Sequence, residues 1–463
     1  MLSRALIAKL LSANDSAIPA DVMQCAKMHF ADAIGVGLAA SRSEIGAPYL
    51  GLVETNQGGA ASLLNANVGL SPADAALING GLIHSLEYDD THTASIVHGS
   101  AVIAATALAV GESVGATGRE LLGAFVRGWE LLIRLGLAAA GKYQANGFQI
   151  TPVGGTVASA LVAAELMKLD EDRAVAAVGI SLSQASGVFE FLTNGSSVKS
   201  LHPGWAAHCG ITAARLAASG MTGPETALEG RFGLFRTFAR DENAAERFAG
   251  LVETIGERWH LNDAAFKLFP CCHYIHPFLE AIDTLRSRGV TEEQVEQVIC
   301  RVPVGAATIV CDPWHIKLNP LTPHAARWSL PIVMAEYWIE GSVTLRTFER
   351  PSSSRVHDLA KRMAWEPMQE AQFPEKFGAE VICHLRSGAA QSVRIDDVYG
   401  NASRPAKQSE IRAKFRSNAE YVFESDAVDC LETILDSLDD APHLGSLTAA
   451  LRSRRRDSHL ATH

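Results

Sequence analysis

The chain has 463 residues, too many for a single compact core, so two domains are expected. Hydrophobic residues make up 48%, charged residues 20% and aromatics 7%, an ordinary globular mix. A net charge of −11 repels phosphate backbones and anionic lipid, which argues against nucleic-acid and membrane-surface partners.

Residues 1–16 carry Arg4 and Lys9 inside an apolar 3–4 pattern and read as a first amphipathic helix, not a secretory leader. A cytoplasmic location follows as an expectation, and with it eight reduced cysteines. Gly35-Val36-Gly37 matches a dinucleotide fingerprint loosely but sits within helical pattern. Helical spacing then recurs over 71–87, 101–114, 118–139, 155–168 and 171–186, with Gly or Pro between segments. Residues 91–111 and 143–164 lack Asp, Glu, Lys and Arg, yet each holds His, Gln, Asn, Pro or several Gly. Such stretches read as buried core and not as membrane spans.

After Lys267-Leu268-Phe269-Pro270 the pattern changes. A helix is expected over 277–286 and a β-branched strand over 295–304. Another helix fits 325–341, and a hairpin joins 379–385 to 391–395 through Ser387-Gly388. From Lys414 the helical period returns, with Val428, Leu431, Leu435 and Leu438 on one stripe. Arg452, Arg454, Arg455 and Arg456 near the end read as a solvated terminus. The fold class expected is mainly α: a large all-α helical domain built from both chain ends (1–267 and 402–463), interrupted by a smaller α+β lid domain (268–401).

No Walker loop and no Gly-x-Ser-x-Gly elbow occurs, so no cofactor is expected. Cys271, Cys272, His273 and His276 resemble a metal cluster, but adjacent cysteines rarely turn both thiolates to one ion, and no metal is expected.

Three polar segments interrupt the apolar pattern. In the first, His84, Glu87, Asp89, Asp90, Thr91, His92 and His98 crowd the entry to the helix at Ala101. Such crowding shifts proton affinities and suits acid–base work, while capping of a helix start is the competing reading for Asp89 and Asp90. In the second, running from Asn194 to Gly204, Lys199 lies in a Gly/Ser-rich loop and could clamp a carboxylate, or simply be a surface lysine. The third is Phe266-Lys267-Leu268-Phe269-Pro270-Cys271-Cys272-His273-Tyr274-Ile275-His276, at the expected domain junction.

These segments, in this order, resemble the MmgE/PrpD family, which includes 2-methylcitrate dehydratase, cis-aconitate decarboxylase and iminodisuccinate epimerase. The likeness extends through Asp32-Ala-Ile-Gly, Ala76-Leu-Ile-Asn-Gly, Arg231-Phe-Gly-Leu-Phe, Trp328-Ser-Leu-Pro and Gly341-Ser-Val-Thr-Leu. It implies an all-α domain with an α+β lid, a site between the two, and a homodimer. It also implies that Asp89, Asp90, Thr91, His98, Lys199 and Lys267 line that site, with His276 a further candidate. Departures are visible. Glu87 replaces the first Asp of the loop, the loop to His98 is one residue longer, and Gln149 stands where Gly-Phe-His-x-Thr is usual. Cys272 occupies a position at which decarboxylases carry His, with His273 one step later.

The chemistry this implies is proton removal beside a carboxylate of a small di- or tricarboxylate, in a lyase of the dehydratase type. His98 is assigned as base, Lys199 and Lys267 as electrostatic partners, Thr91 as donor and Asp89 as acid. Glu87, Asp90, Gln149, Cys272, His273 and His276 are expected to contact substrate. Epimerisation of an iminodisuccinate-like acid would need a second acid–base residue, for which Tyr143, Asp90 and Cys272 are open choices. A non-catalytic polycarboxylate-binding homologue is the remaining alternative, because Gln149 cannot exchange a proton near neutral pH.

Overall fold

The computed structural model describes residues 1–12, 15–53, 58–193 and 195–452, so Asn194 and Arg454–456 lie outside the described residues. Among the described residues helix dominates, with two small sheets, and the chain is mainly α with a smaller α+β part.

The first half builds helices α1 (Leu2–Ser12), α2 (Ala20–Ala40), α3 (Pro72–His84), α4 (Gly99–Val114), α5 (Gly118–Ala138), α6 (Ile150–Leu166), α7 (Glu171–Leu182), α8 (Leu201–Ala218) and α9 (Ala244–Glu253). Local chemistry fixes their ends. Ser71 caps α3 by accepting from the Asp74 amide, with Pro72 in the first turn, and Thr117 with Glu120 forms a capping box on α5. Helix α4 stops at Gly115, whose φ of 69° suits a residue without Cβ. Between α2 and α3, strands β1 (Ala61–Leu63) and β2 (Ala66–Leu70) form a hairpin that the sequence reading passed over. Their short runs of small residues carry too little periodicity to see.

Helix α6 begins at Ile150 and not at Gly155, because Pro152 falls in its first turn, where a missing N–H is tolerated. Its N-cap residue is Gln149, whose side chain makes no cap bond and is left to point elsewhere. Helices α3 and α8 meet backbone to backbone: a Cβ on Gly204 would lie 2.1 Å from Leu77 O, and one on Gly80 2.7 Å from Gly204 Cα. This contact sets the spacing between the loop that follows α3 and the turn that precedes α8.

The second half adds α10 (His276–Ser287), β3 (Val295–Pro303), α11 (Leu330–Glu340), β4 (Met363–Met368), β5 (Ala379–Leu385) and β6 (Ala390–Ile395). The four-stranded sheet has the order β4-β3-β5-β6, with β4 parallel to β3 and the other pairs antiparallel. The hairpin β5–β6 matches the sequence reading. Strand β4 was missed because Glu366-Pro367 breaks its pattern, which an edge position tolerates. The helix expected over 325–341 is divided: Ala325–Trp328 is a tight turn, and Ser329 caps α11 anew.

Helices α12 (Gln408–Ala419), α13 (Ser425–Asp436) and α14 (Gly445–Leu451) return to the first core. Val428, Leu431, Leu435 and Leu438 are all buried there. One apolar cluster runs from Leu6 to Ala264 and takes in Phe415 to Leu451, and a second runs from Cys271 to Val393. Arg452, the last described residue, donates to Ser62 Oγ at 2.9 Å and Ala60 O at 2.9 Å, so it is tied to β1 and is not part of the solvated terminus expected for it. No helix among the described residues is long and apolar enough to cross a membrane.

Candidate active site

The loop between α3 and α4 carries the first polar segment, and it is pinned from two sides. Thr91 and Ala265 exchange backbone hydrogen bonds (3.0 and 2.8 Å), which brings Lys267 beside Glu87. On the other side the turn Ser197–Ser200, which leads into α8, delivers Lys199 to the Glu87 carboxylate as a close ion pair. Lys267 Nζ stands 3.6 Å from Glu87 Oε2 and 3.9 Å from Asp89 Oδ1. Trp328 lies under the Lys199 ammonium, 5.4 Å from ring centroid to Nζ.

These side chains open onto a shared cleft. Glu87, Thr91, His98, Gln149, Lys199, Lys267, Cys272 and His273 all line it, so eight of the expected site residues converge. Asp89, Asp90 and His276 do not line it. Asp89 is fully buried behind the site, 2.7 Å from His84 Nδ1 and 3.5 Å from His98 Nδ1. Asp90 accepts from the Ser100 amide (3.2 Å) and hydroxyl (2.5 Å) in the first turn of α4, and from His29 Nδ1 at 2.7 Å. The capping reading therefore applies to Asp90, and its expected substrate contact is not found. His276 packs against Phe269 and faces Cys271 O at 3.4 Å. Tyr143, one choice for a second acid–base group, is sealed in the helical core, its hydroxyl on Leu135 O.

Apolar side chains form much of the wall: Ile96, Phe189, Phe191, Leu192, Ile309 and Phe377. Sequence reasoning missed them, since an aromatic near a Gly/Ser loop carries no signal of its own. It also missed His202, whose Nδ1 lies 2.6 Å from Gln149 Oε1.

Burial sets the electrostatics, and the charges then sort the groups. Burial pushes the Glu87 carboxyl up, but Lys199 and Lys267 outweigh it and hold it well below the usual carboxylate range. For Asp89, likewise, burial is outweighed, by His84 and by Lys267, and the carboxyl stays ionised. Burial lowers Lys267, yet Glu87 and Asp89 raise it further, so it remains an ammonium. His98 goes the other way. Burial drives it well below its ordinary value, Asp89 opposes this only in part, and Lys267 adds to the fall. Burial and Glu87 push the Cys272 thiol up, while burial, His276 and Lys267 push His273 well down.

At neutral pH, then, His98 is an uncharged imidazole beside two ammonium groups. Its Nδ1 stands 3.1 Å from Asp90 O, an oxygen that can only accept, so Nδ1 carries the proton. Nε2 is left with the lone pair. Thr91 Oγ1 lies 3.2 Å from the same Nδ1 and keeps its own hydroxyl proton to donate. Among the lining side chains the only permanent charges are Lys199, Lys267 and Glu87, an excess of one positive charge.

Two groups of donors come within 4.8 Å of one another among the described residues: His84, Asp89 and His98, and His92, His260 and Asp263. The Cys271–His276 segment is not one of them. In the first group Asp89 is already shared by His84 and the Lys267 ammonium, and in the second Arg258 already pairs with Asp263.

Residues 5–247 match the MmgE/PrpD N-terminal domain and residues 269–440 the MmgE/PrpD C-terminal domain. The chain belongs to the MmgE/PrpD family. It is 28% identical over 449 residues to human cis-aconitate decarboxylase, covering 93% of this chain and 90% of that protein. A cis-aconitate decarboxylase-like protein of Aspergillus oryzae is 28% identical over 460 residues, 94% of each chain. The cis-aconitate decarboxylase of Aspergillus terreus is 25% identical over 449 residues, 91% of this chain and 90% of that one. These MmgE/PrpD relatives are lyases by name, and the likeness to them runs through both halves of the chain.

Proposed function

We propose that this MmgE/PrpD protein is a lyase that removes a proton next to a carboxylate of a small di- or tricarboxylate, using its own side chains. The observation that carries this is that His98, its Nδ1 held on the Asp90 carbonyl, lines the same mostly apolar cleft as Lys199 and Lys267. His98 Nε2 takes the proton. Charge then builds on the substrate carboxylate, where the two ammonium groups and the Thr91 hydroxyl offset it. The dry wall strengthens those interactions. Asp89 serves as an orienting group behind His98 in this scheme. A carboxylate so far below its usual range, and away from the cleft, has no proton to give. In elimination of water, the departing hydroxide takes its proton from the Cys272 thiol or Tyr274 hydroxyl, both raised by burial and both on the wall.

Decarboxylation is the second reading, favoured by the names of the relatives. Gln149 weighs against it. Engaged with His202, it orients oxygen atoms but supplies no proton to carbon. Purified protein incubated with citrate-like, methylcitrate-like and aconitate-type acids separates the two: alkene absorbance marks water elimination and release of CO₂ marks decarboxylation. Neither signal with any acid, despite binding, would leave a polycarboxylate-binding homologue. The family likeness also leads us to expect a homodimer, and sedimentation as a single 49.4 kDa species contradicts it.

A further inference from the structure

Glu87 occupies the left-handed backbone region with φ of 53°, where a side chain is strained and only its surroundings can keep it. Around it three consecutive carbonyls each accept from a buried cation that belongs to a different part of the chain. Arg327 Nη1 donates to Leu86 O at 2.9 Å, Lys267 Nζ to Glu87 O at 3.3 Å, and Lys414 Nζ to Tyr88 O at 2.7 Å. Two of these cations have a second anchor outside the loop. Arg327 also donates to Pro270 O at 2.6 Å, in the segment after Lys267. Lys414, on α12, pairs with Asp32 of α2 at 2.8 Å and lies over the Tyr88 ring, 4.1 Å from its centroid.

Buried carbonyls need donors, but neutral N–H groups would suffice. Charged donors hold more firmly, because each bond is charge-assisted in a low-dielectric setting. The left-handed turn points the Glu87 carboxylate to Lys199 and Lys267 and leaves Asp89 behind His98. Arg327 and Lys414 do not line the cleft. We infer that Arg327 and Lys414 are positioning residues, which fasten the peptides on either side of Glu87 and so fix the ion array and the Asp89–His98 pair. Helix α12, from the second stretch of the helical part, thereby becomes part of the site's support, although it supplies no group to the cleft. As a statement about catalysis this rests on the lyase reading. As a statement about geometry it does not.

The test uses Lys414→Met and Arg327→Met, with Lys414→Arg as the conservative variant and Phe248→Leu as a core change remote from the loop. In substrate-free protein the His98 imidazole nitrogens are followed by NMR against pH. We expect both Met variants to move the His98 resonances and its titration, Lys414→Arg to restore them in large part, and Phe248→Leu to leave them in place. With a turned-over acid, kcat should fall by about tenfold or more in the Met variants while KM changes by less than about threefold. If Lys414→Met fails to fold, Asp32→Asn, which releases Lys414 from its second anchor, is read in the same way. Unmoved His98 resonances in the folded variants overturn the inference. An inactive wild type with the expected NMR shifts overturns the lyase reading alone.

Discussion

Gln149 Oε1 accepts from His202 Nδ1 across 2.6 Å, and this contact holds the Gln149 amide in one orientation at the edge of the cleft. His202 is pushed down to about 4, by burial first and then by His84 and Lys199, so it stays neutral and does not feed a proton through the amide. A decarboxylase must deliver a proton to carbon once CO₂ has left. We therefore expect formation of itaconate from cis-aconitate, followed by mass spectrometry, to be slow relative to alkene formation or proton exchange with another acid. Efficient itaconate formation would show that a different wall group delivers the proton.

The acid limb of kcat/KM should report His98. Because burial lowers that imidazole below its ordinary 6.5, the base is unprotonated at pH 6.5 and activity persists as pH falls through that value. Loss begins only lower down, where His98 gains its proton. A pH–rate profile with its acid limb at or above 6.5 would place the base elsewhere.

Turnover should survive prolonged chelation followed by dialysis. Asp89 and Asp263 are already matched by Lys267 and Arg258, and the scheme routes no step through an ion. Activity lost on chelation and restored by zinc or iron would point to His84, Asp89 and His98, or to His92, His260 and Asp263.

Gly204→Ala should destabilise the protein by roughly 1–3 kcal/mol or more, since the new methyl meets Leu77 O and neither helix can yield without moving the other. Thermal unfolding reads the loss. Because α8 follows the Lys199 turn, KM should rise as well, and an unchanged melting temperature would mean that the α3–α8 contact is looser than described.

Much of this was legible in advance because the helices are long and capped by the expected residues. Ser71, Thr117 and Asp170 all sit at N-caps, and the Val428–Leu438 stripe is buried as its spacing implies. What stayed hidden depends on contacts distant in the chain. Strand β4 is recognisable only from its pairing with β3, and Gln149 becomes an N-cap only once α6 is seen to start at Ile150. In the site, residue types announced Glu87 and His98 as chemically crowded, and the family resemblance supplied both lysines. They could not say that Asp89 faces away from the cleft, that Asp90 is spent on the start of α4, or that His202 meets Gln149 from 53 positions away. Burial separated the carboxylates from the imidazoles, and burial is not written in spacing.

Proton removal by His98 is most directly measured as deuterium uptake from D₂O into the carbon next to the carboxylate of the turned-over acid. His98→Ala and Lys199→Ala, checked as folded by circular dichroism, should each lower that exchange by on the order of 10²-fold or more. Uptake at the wild-type rate in the folded His98→Ala variant would contradict the assignment of this imidazole as the base.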